Sequence, residues 1–401
     1  MQIILVLFVI FLDHVGFGMV YPLFSSLLFH PDYSFVDPTT SNAARGWLLG
    51  ILLSIPAVGS FFSAPLLGSL SDRFGRKPVY LASLGLAVAG YLFCAEAISL
   101  QNIWLLICAR GVVGLSMGSA AVVSATIVDL SAEHNKAQNL GLYSMANGLG
   151  FALGPFLGGY LVSLGMTTPF MATACAFFMN LVLIYFFFSE TNTSKKNTPI
   201  TITTGLENFA KAFRLDGVKT LFLVAGIFCF GWAVFYEFLP LFWISNYKFS
   251  PNEVGNLFAF GSATYALCSG LLIRPVLRRW RPYSVFSFSL GMHGLIMLSV
   301  LLSPPSAYMW LFVAGFNLFS ALTFPTYITL VSNSAEANSQ GEVLGILESV
   351  HGVAYGLSPL VAGWSIGIHL LAPVILGAGA MFFATAILLS DKRRVGVDSA
   401  S

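Results

Sequence analysis

Charge is what this chain has least of. Only 9% of its 401 residues are Asp, Glu, Lys or Arg, where a soluble domain carries roughly 25%, so water is not the main solvent for its surface. Paired cysteines are missing as well. Cys94, Cys108, Cys175, Cys229 and Cys268 stand singly inside apolar stretches, at no spacing that suits a metal site or a redox pair. They read as small apolar fillers. No H-E-x-x-H, G-x-S-x-G or Walker loop occurs, and no polar segment is long enough for an added soluble domain. These absences argue against a membrane enzyme, a non-transporting receptor and ATP drive within this chain. No metal or cofactor is expected. A net charge of +2 gives no sign of nucleic-acid binding. The opening MQIILVLFVIFLDHVGFGMVYPLF lacks a basic leader and a small-residue cleavage site, and so reads as a retained span rather than a signal peptide.

What the chain has instead is apolar length. Hydrophobic residues make up 57% of it, grouped in runs of the ~20 residues that a helix needs to cross a bilayer. A β-barrel would show short alternating segments. Twelve spans are expected, near 3–28, 44–70, 79–98, 102–129, 138–164, 168–189, 218–246, 252–275, 283–302, 307–332, 341–366 and 370–390. The fold class is therefore all-α and integral to the membrane. The one long polar segment, 190–217, divides six spans from six. Expected boundaries are a first bundle over 1–189, a linker over 190–217, a second bundle over 218–391 and a tail over 392–401. Arg73, Arg76, Lys77, Lys136, the linker lysines, Arg274, Arg278, Arg279, Arg281 and Lys392 to Arg394 fall on one side, against Arg45 and Lys248 on the other. The positive-inside rule then places both termini in the cytoplasm of a plasma (inner) membrane protein.

The two halves repeat. LGLYSMANGLGFALGPFLGG at 140–159 aligns without gaps to LGILESVHGVAYGLSPLVAG at 344–363. Gly141, Gly148, Pro155 and Gly159 match Gly345, Gly352, Pro359 and Gly363 at a constant shift of 204. Two six-span units related by an axis along the membrane normal place a substrate site near mid-membrane, between the halves.

Residues 68–78, GSLSDRFGRKP, carry the densest charge of the first half. Gly68, Leu70, Asp72, Arg73, Gly75, Arg76 and Lys77 resemble the loop 2–3 signature of the major facilitator superfamily, G-x-L-x-D-R-x-G-R-K. GFALGPFLGG, with Gly150, Gly154, Pro155, Gly158 and Gly159, is similar to the span 5 motif of that superfamily's antiporters. LDHVGFGMVYP at 12–22 resembles the span 1 motif of its proton-coupled drug exporters, and ARGVVGLSMGSAA at 109–121 its span 4 motif, with Val113 where the family has Gln. The subfamily suggested is that of the tetracycline-type and multidrug proton antiporters. This resemblance implies two pseudo-symmetric six-helix bundles, alternating access and a small-molecule substrate exchanged for protons. It also implies a latch: Asp72 capping span 11 around Ser339 to Gly341, and Arg76 paired with Asp129. These contacts are expected to form with the basic end closed and to lengthen when it opens. The plainer alternative is that the basic residues only enforce topology.

Ionisable groups deep in a span cost at least ~2.5–3.5 kcal/mol on insertion scales and so need a reason. Asp13 lies about ten residues into span 1, and Arg110 about eight into span 4. Together they are the expected proton-coupling pair; a static pair that only fixes two helices is the alternative. His14 reads as a packed histidine. Glu237 can meet a cationic substrate or sit wet near the outer end of span 7. Glu348 and His351, three apart on span 11, share one face and suit proton relay or polar substrate contact. Phe17 and Tyr21 follow Asp13 by four and eight residues and can line the cavity beside it. The expected cargo is an amphiphilic organic molecule, exported against protons. The alternative is a polar metabolite or a siderophore-like chelator, in either direction. The expected partners are that cargo, protons and lipid, and a monomer suffices.

Overall fold

The computed structural model describes residues 2–132, 135–192, 203–215, 218–302, 305–334 and 340–390. Among the described residues it is all-helical, with eleven helical segments long and apolar enough to span a membrane and a twelfth that is a bent pair. Spans 1 to 6 are Gln2–Phe29, Asn42–Phe74, Arg76–Ser99, Ile103–Asp129, Gln138–Leu164 and Thr168–Phe187. Span 7 is Lys219–Tyr247, and span 8 joins Pro251–Leu271 to Ile273–Arg279 at a 45° bend. Spans 9 to 12 are Pro282–Leu302, Tyr308–Asn333, Glu342–Ile366 and Ala372–Ser390. This is the expected twelve-span fold. The tail and residues 193–202 of the linker lie outside the described residues.

Breaks within spans follow from local chemistry. Span 1 is helical over Gln2–Val20 and again over Leu23–Phe29, parted at Pro22, which has no N–H to give. Span 7 breaks at the corresponding place, between Tyr236 and Leu239, ahead of Pro240. Span 4 pauses at Gly118, between Met117 and Ser119, where a Cβ would strike Ser63 and Ala64 of span 2. Arg45, at the sparsely charged end, is explained by its loop. Its guanidinium donates to the carbonyl oxygens of Leu28, Thr40 and Asp37 and to Ser34 Oγ. In the same loop, the hydroxyl and backbone N–H of Thr39 hold the Asp37 carboxyl below its ordinary pKa.

The repeat is visible as packing. In one seam between the halves, a Cβ on Gly50 of span 2 would lie 2.5 Å from the Pro359 carbonyl oxygen of span 11. In the other, a Cβ on Gly255 of span 8 would strike the Pro155 carbonyl oxygen of span 5. Pro155 and Pro359 are repeat mates, and so are Gly159 and Gly363, which extend the same two seams. All of these contacts lie towards the sparsely charged end. Towards the basic end, a Cβ on Gly141, Gly148, Gly270 or Gly345 would meet nothing within 4 Å. The halves are pressed together at one end and apart at the other.

Part of the linker fills the gap. Thr204–Ala212 is a helix that the sequence reading left as polar linker. Gly205 and Ala212 are buried, Phe209 packs on the second half's core, and Lys211 pairs with Glu342 at 3.4 Å. A Cβ on Gly205 would lie 2.8 Å from the Phe61 ring of span 2. Only a side-chain-free edge lets this helix enter between spans 2 and 11.

Gly363→Val should prevent the halves from closing at the sparsely charged end, because the added Cβ meets the Gly46 backbone and cannot rotate away. The check uses a background without native cysteines and a Ser54→Cys reporter, a position only 2% exposed in this seam. An impermeant maleimide should label the reporter several-fold faster with Gly363→Val. An unchanged rate would show that this seam does not control closure.

Candidate functional site: the buried polar centres and the cleft between the halves

Asp13 projects from span 1 into a cavity of about 560 Å³ that is lined chiefly by the first half. Its carboxylate accepts from Tyr80 Oη at 3.1 Å and from Asn180 Nδ2 at 2.7 Å. The same Asn180 nitrogen donates to the Val9 carbonyl oxygen at 2.9 Å. Span 3 and span 6 thus each supply one neutral partner. Tyr80 and Asn180 were not singled out from the sequence, since a lone Tyr or Asn in an apolar span carries no pattern.

Arg110 is not the partner of Asp13. Its Nε donates to the Leu52 carbonyl oxygen at 3.0 Å, its guanidinium lies 4.4 Å from the Phe24 ring centroid, and its Nη1 has no hydrogen-bond partner. It is 2% exposed, with Tyr91 and Cys94 of span 3 and Tyr21 of span 1 within electrostatic reach. The expected pair is therefore two separate centres. The reason is geometric: Asp13 bonds to Tyr80 and Asn180, whereas Arg110 turns to the Leu52 carbonyl oxygen and the Phe24 ring.

Tyr21 stands at the break of span 1 and Glu237 at the break of span 7. Tyr21 is within electrostatic reach of Glu237, Tyr236, Tyr355 and Arg110, so the broken helices bring both halves' polar groups to one place. Glu237 Oε2 is buried and has no partner. Phe17, Tyr21 and Phe151 form a ring cluster with centroids 5.9–6.0 Å apart. His14 Nδ1 donates to the Ile10 carbonyl oxygen at 3.1 Å, and the side chain also lines the Asp13 cavity.

Glu348 and His351 meet on span 11 with Oε1 and Nδ1 3.7 Å apart. They lie in the second half, where His351 Nε2 also meets Tyr327 Oη at 2.9 Å. A further buried group went unread in the sequence: His293 of span 9, bonded to Ser320 Oγ at 3.0 Å. Trp232 Nε1 donates to the same hydroxyl at 3.2 Å.

The glycines of span 5 serve span 1. Gly150, Gly154 and Gly158 recur every fourth residue, and a Cβ on each would strike the backbone of Phe11, Val15 or Met19. The stretch that resembles an antiporter motif is therefore a flat bed for the helix that carries Asp13, while Pro155 and Gly159 face span 8.

In the loop between spans 2 and 3, Arg76 Nε donates to Asp129 at 2.9 Å, and Nη1 donates to Asp72 and to Ser71 Oγ, each at 2.6 Å. Contrary to the expectation of lengthening, these contacts are made while the halves stand apart at this end. All the partners belong to the first half, so opening of the cleft does not pull on them. Asp72 bonds to Arg76; the cap expected at Ser339 to Gly341 reaches outside the described residues. Arg73 and Lys77 instead lie over the Phe74 and Tyr185 rings at 5.5 and 6.0 Å. Gly68 has only Ala121 nearby, at 3.9 Å.

The sequence reading missed Glu190. Its carboxylate accepts from the backbone N–H of Arg76 and Lys77 at 2.8 and 3.0 Å, capping span 3 where a helix N-terminus favours an anion. Asn192 Nδ2 donates to the Ser71 and Asp72 carbonyl oxygens at the end of span 2. Gly75 takes φ +116°, and a Cβ there would strike the Glu190 carboxylate.

Comparison with known proteins agrees with this geometry. A family profile described as Major Facilitator Superfamily matches residues 4–359 and 221–395. The tetracycline resistance protein, class C, of Escherichia coli is 28% identical over 364 residues, covering 90% of this chain and 88% of that protein. The quinolone resistance protein NorA of Staphylococcus aureus is 26% identical over 409 residues, covering 98% and 97%. Among solved structures, the human organic anion transporter MFSD10 aligns with a TM-score of 0.71 at 22% identity, over 96% of this chain and 98% of that one. The nucleoside transporter NupG aligns at 0.77 and 14% identity, over 97% and 99%.

Gly75→Ala should cost about 1–3 kcal/mol for the positive φ, and more for displacing Glu190. Glu190→Gln should cost about 0.3–1 kcal/mol, the loss of a charge at a helix start. Thermal unfolding in detergent should therefore rank Gly75→Ala well below Glu190→Gln. Equal midpoints would mean that the loop yields freely.

Proposed function

The chain belongs to the major facilitator superfamily, a family of secondary transporters that move small molecules across membranes, and we propose that it exports amphiphilic compounds in exchange for protons. The observation that carries this reading is Asp13. It is an intramembrane acid bonded to two neutral side chains, in a cavity between helices. A phenol both donates and accepts. Tyr80 can thus donate to the ionised carboxylate and accept from the protonated acid without moving. Asp13 is thereby suited to bind and release a proton in one geometry.

With the basic ends taken as cytoplasmic, the conformation described is open to the cytoplasm and closed outside. Cargo enters between the halves beside the cluster of Phe17, Tyr21 and Phe151. Arg110 Nη1 and Glu237 Oε2 are unpaired and buried, and each offers a hydrogen bond to a polar group on the cargo. Glu348 faces the same cleft from span 11, with His351 buried behind it. Relatives named for tetracycline and quinolone resistance support a drug-like cargo. The unpaired Nη1 of Arg110 favours, as a second reading, a more polar cargo bearing an acidic group. Arg110 then acts on cargo, and its effect on Asp13 is indirect. In this reading residues 1–189 and 218–391 move as two bundles, with 190–217 as the linker on the cytoplasmic side.

Asp13→Asn should abolish accumulation of tetracycline or a quinolone driven by a pH gradient in proteoliposomes, while exchange down the probe's own gradient persists. Gradient-driven accumulation by the variant would move coupling to another group. Arg110→Gln should weaken transport of acidic probes more than that of neutral ones; equal effects would remove the acidic-cargo reading.

A further inference from the structure

The second half holds a chain of titratable groups that the role given to Asp13 leaves unused. The Glu348 side chain is 78% exposed and lies on the face of span 11 that carries Gly345 and Gly352, turned towards the cleft. His351 is 8% exposed, with Nδ1 3.7 Å from that carboxylate. Its Nε2 is 2.9 Å from Tyr327 Oη of span 10. Tyr327 Oη is in turn 3.6 Å from Cys229 Sγ of span 7. Tyr327 and Cys229 are 1% and 0% exposed. The chain therefore runs from open cleft to dry interior across three helices.

Other surroundings of His351 are almost neutral. Its own span adds Tyr355, with ring centroids 6.2 Å apart, and Tyr355 is itself within reach of Glu237. Span 2 presents Phe61 and Val58 at this level, and Ala372–Ser390 of span 12 has no titratable side chain. The linker helix contributes Lys211, paired with Glu342, and Glu207, bonded to Thr203. Among the described residues, Glu348 is the charged group in contact with the ring.

The hydrogen bonds can be completed in both charge states. With the imidazole neutral and its hydrogen on Nε2, Nε2–H donates to the Tyr327 oxygen, the Tyr327 hydroxyl turns to Cys229 Sγ, and Nδ1 is left facing Glu348 and the cleft. With the imidazole protonated, Nδ1–H faces the Glu348 carboxylate across 3.7 Å, and the bonds to Tyr327 and Cys229 are unchanged. The proton is thus gained and lost at the nitrogen that faces the cleft.

We infer that His351 is a second proton-binding site, loaded from the cleft past Glu348, with Tyr327 and Cys229 holding its buried nitrogen in both of its states. This rests on the proton-coupled reading and adds that each half carries one proton site. The proton added to Nδ1 is given back to cleft water past Glu348, and no other group changes its covalent state. Span 7, which supplies Cys229, also breaks at Glu237, so the charge on His351 is felt at the helix that lines the cargo site.

The test has two arms. In the first, full-length protein with ¹⁵N-labelled histidine is placed in nanodiscs, and the His351 signal is assigned by its loss in His351→Gln. It should titrate between about pH 5 and pH 9. Glu348→Gln should lower its midpoint by about one unit, since a neighbouring anion favours the cation. Tyr327→Phe should lower it too, because a charge-assisted bond is lost. A signal that stays in one state, or a midpoint indifferent to both variants, overturns the inference. In the second arm, the proton-to-tetracycline ratio is read from reversal potentials in proteoliposomes. His351→Gln should reduce that ratio by one proton, and an unchanged ratio overturns the inference. Should the unaltered protein show no proton coupling at all, the exporter reading fails, and the titration alone decides the His351 site.

Discussion

Contact between helix backbones, with no side chain intervening, is the constraint on which the rest of this molecule depends. Lipid offers no hydrophobic drive for one helix to leave it for another, so close approach and dispersion must hold the bundle together. The chain supplies the approach with glycine at regular helical spacing. Gly150, Gly154 and Gly158 bed span 1 on span 5 and so fix where Asp13 sits. Gly50 and Gly255 meet the carbonyls of Pro359 and Pro155 in the two seams, and so fix which end of the transporter is closed. Small residues here position the acid and set the conformation in one stroke.

A second regularity concerns phenols. Asp13 is bonded to Tyr80, and His351 to Tyr327. In each half a buried ionisable group is bonded to a phenol hydroxyl that can serve both of its charge states. A cation in place of Tyr80 would hold Asp13 ionised, and a static pair would tie two helices together without moving protons. The hydroxyl leaves both states open at little structural cost. The same logic keeps Arg110 apart from Asp13, with its charge spread over the Phe24 ring and the Leu52 carbonyl.

The charged loop between spans 2 and 3 takes on a different character from the one its composition suggests. Its ion pairs close on themselves within the first half, and Glu190 and Asn192 bind both helix ends across it. It is a rigid corner. What stands between the halves at that end is the linker helix Thr204–Ala212, against Phe61 on one side and Glu342 on the other. Bringing spans 2 and 11 together at the basic end requires that helix to leave.

By itself the sequence determined the solvent, the number of spans and the repeat. Each of these is local or periodic: twenty apolar residues, a charge bias by loop, and glycines and prolines at a constant offset. It also marked Asp13, Arg110, Glu237, Glu348 and His351, because an ionisable residue in an apolar run stands out alone. Only the tertiary structure decided whom they meet. Asp13 turned to Tyr80 and Asn180 rather than to Arg110, and His351 to Tyr327 and Cys229, none of which carries a pattern of its own. Glu190 and the linker helix were hidden for the same reason, since a polar stretch has no periodicity until something packs against it. Direction around a helix axis is set by the neighbouring helices, and those neighbours are far away in the chain.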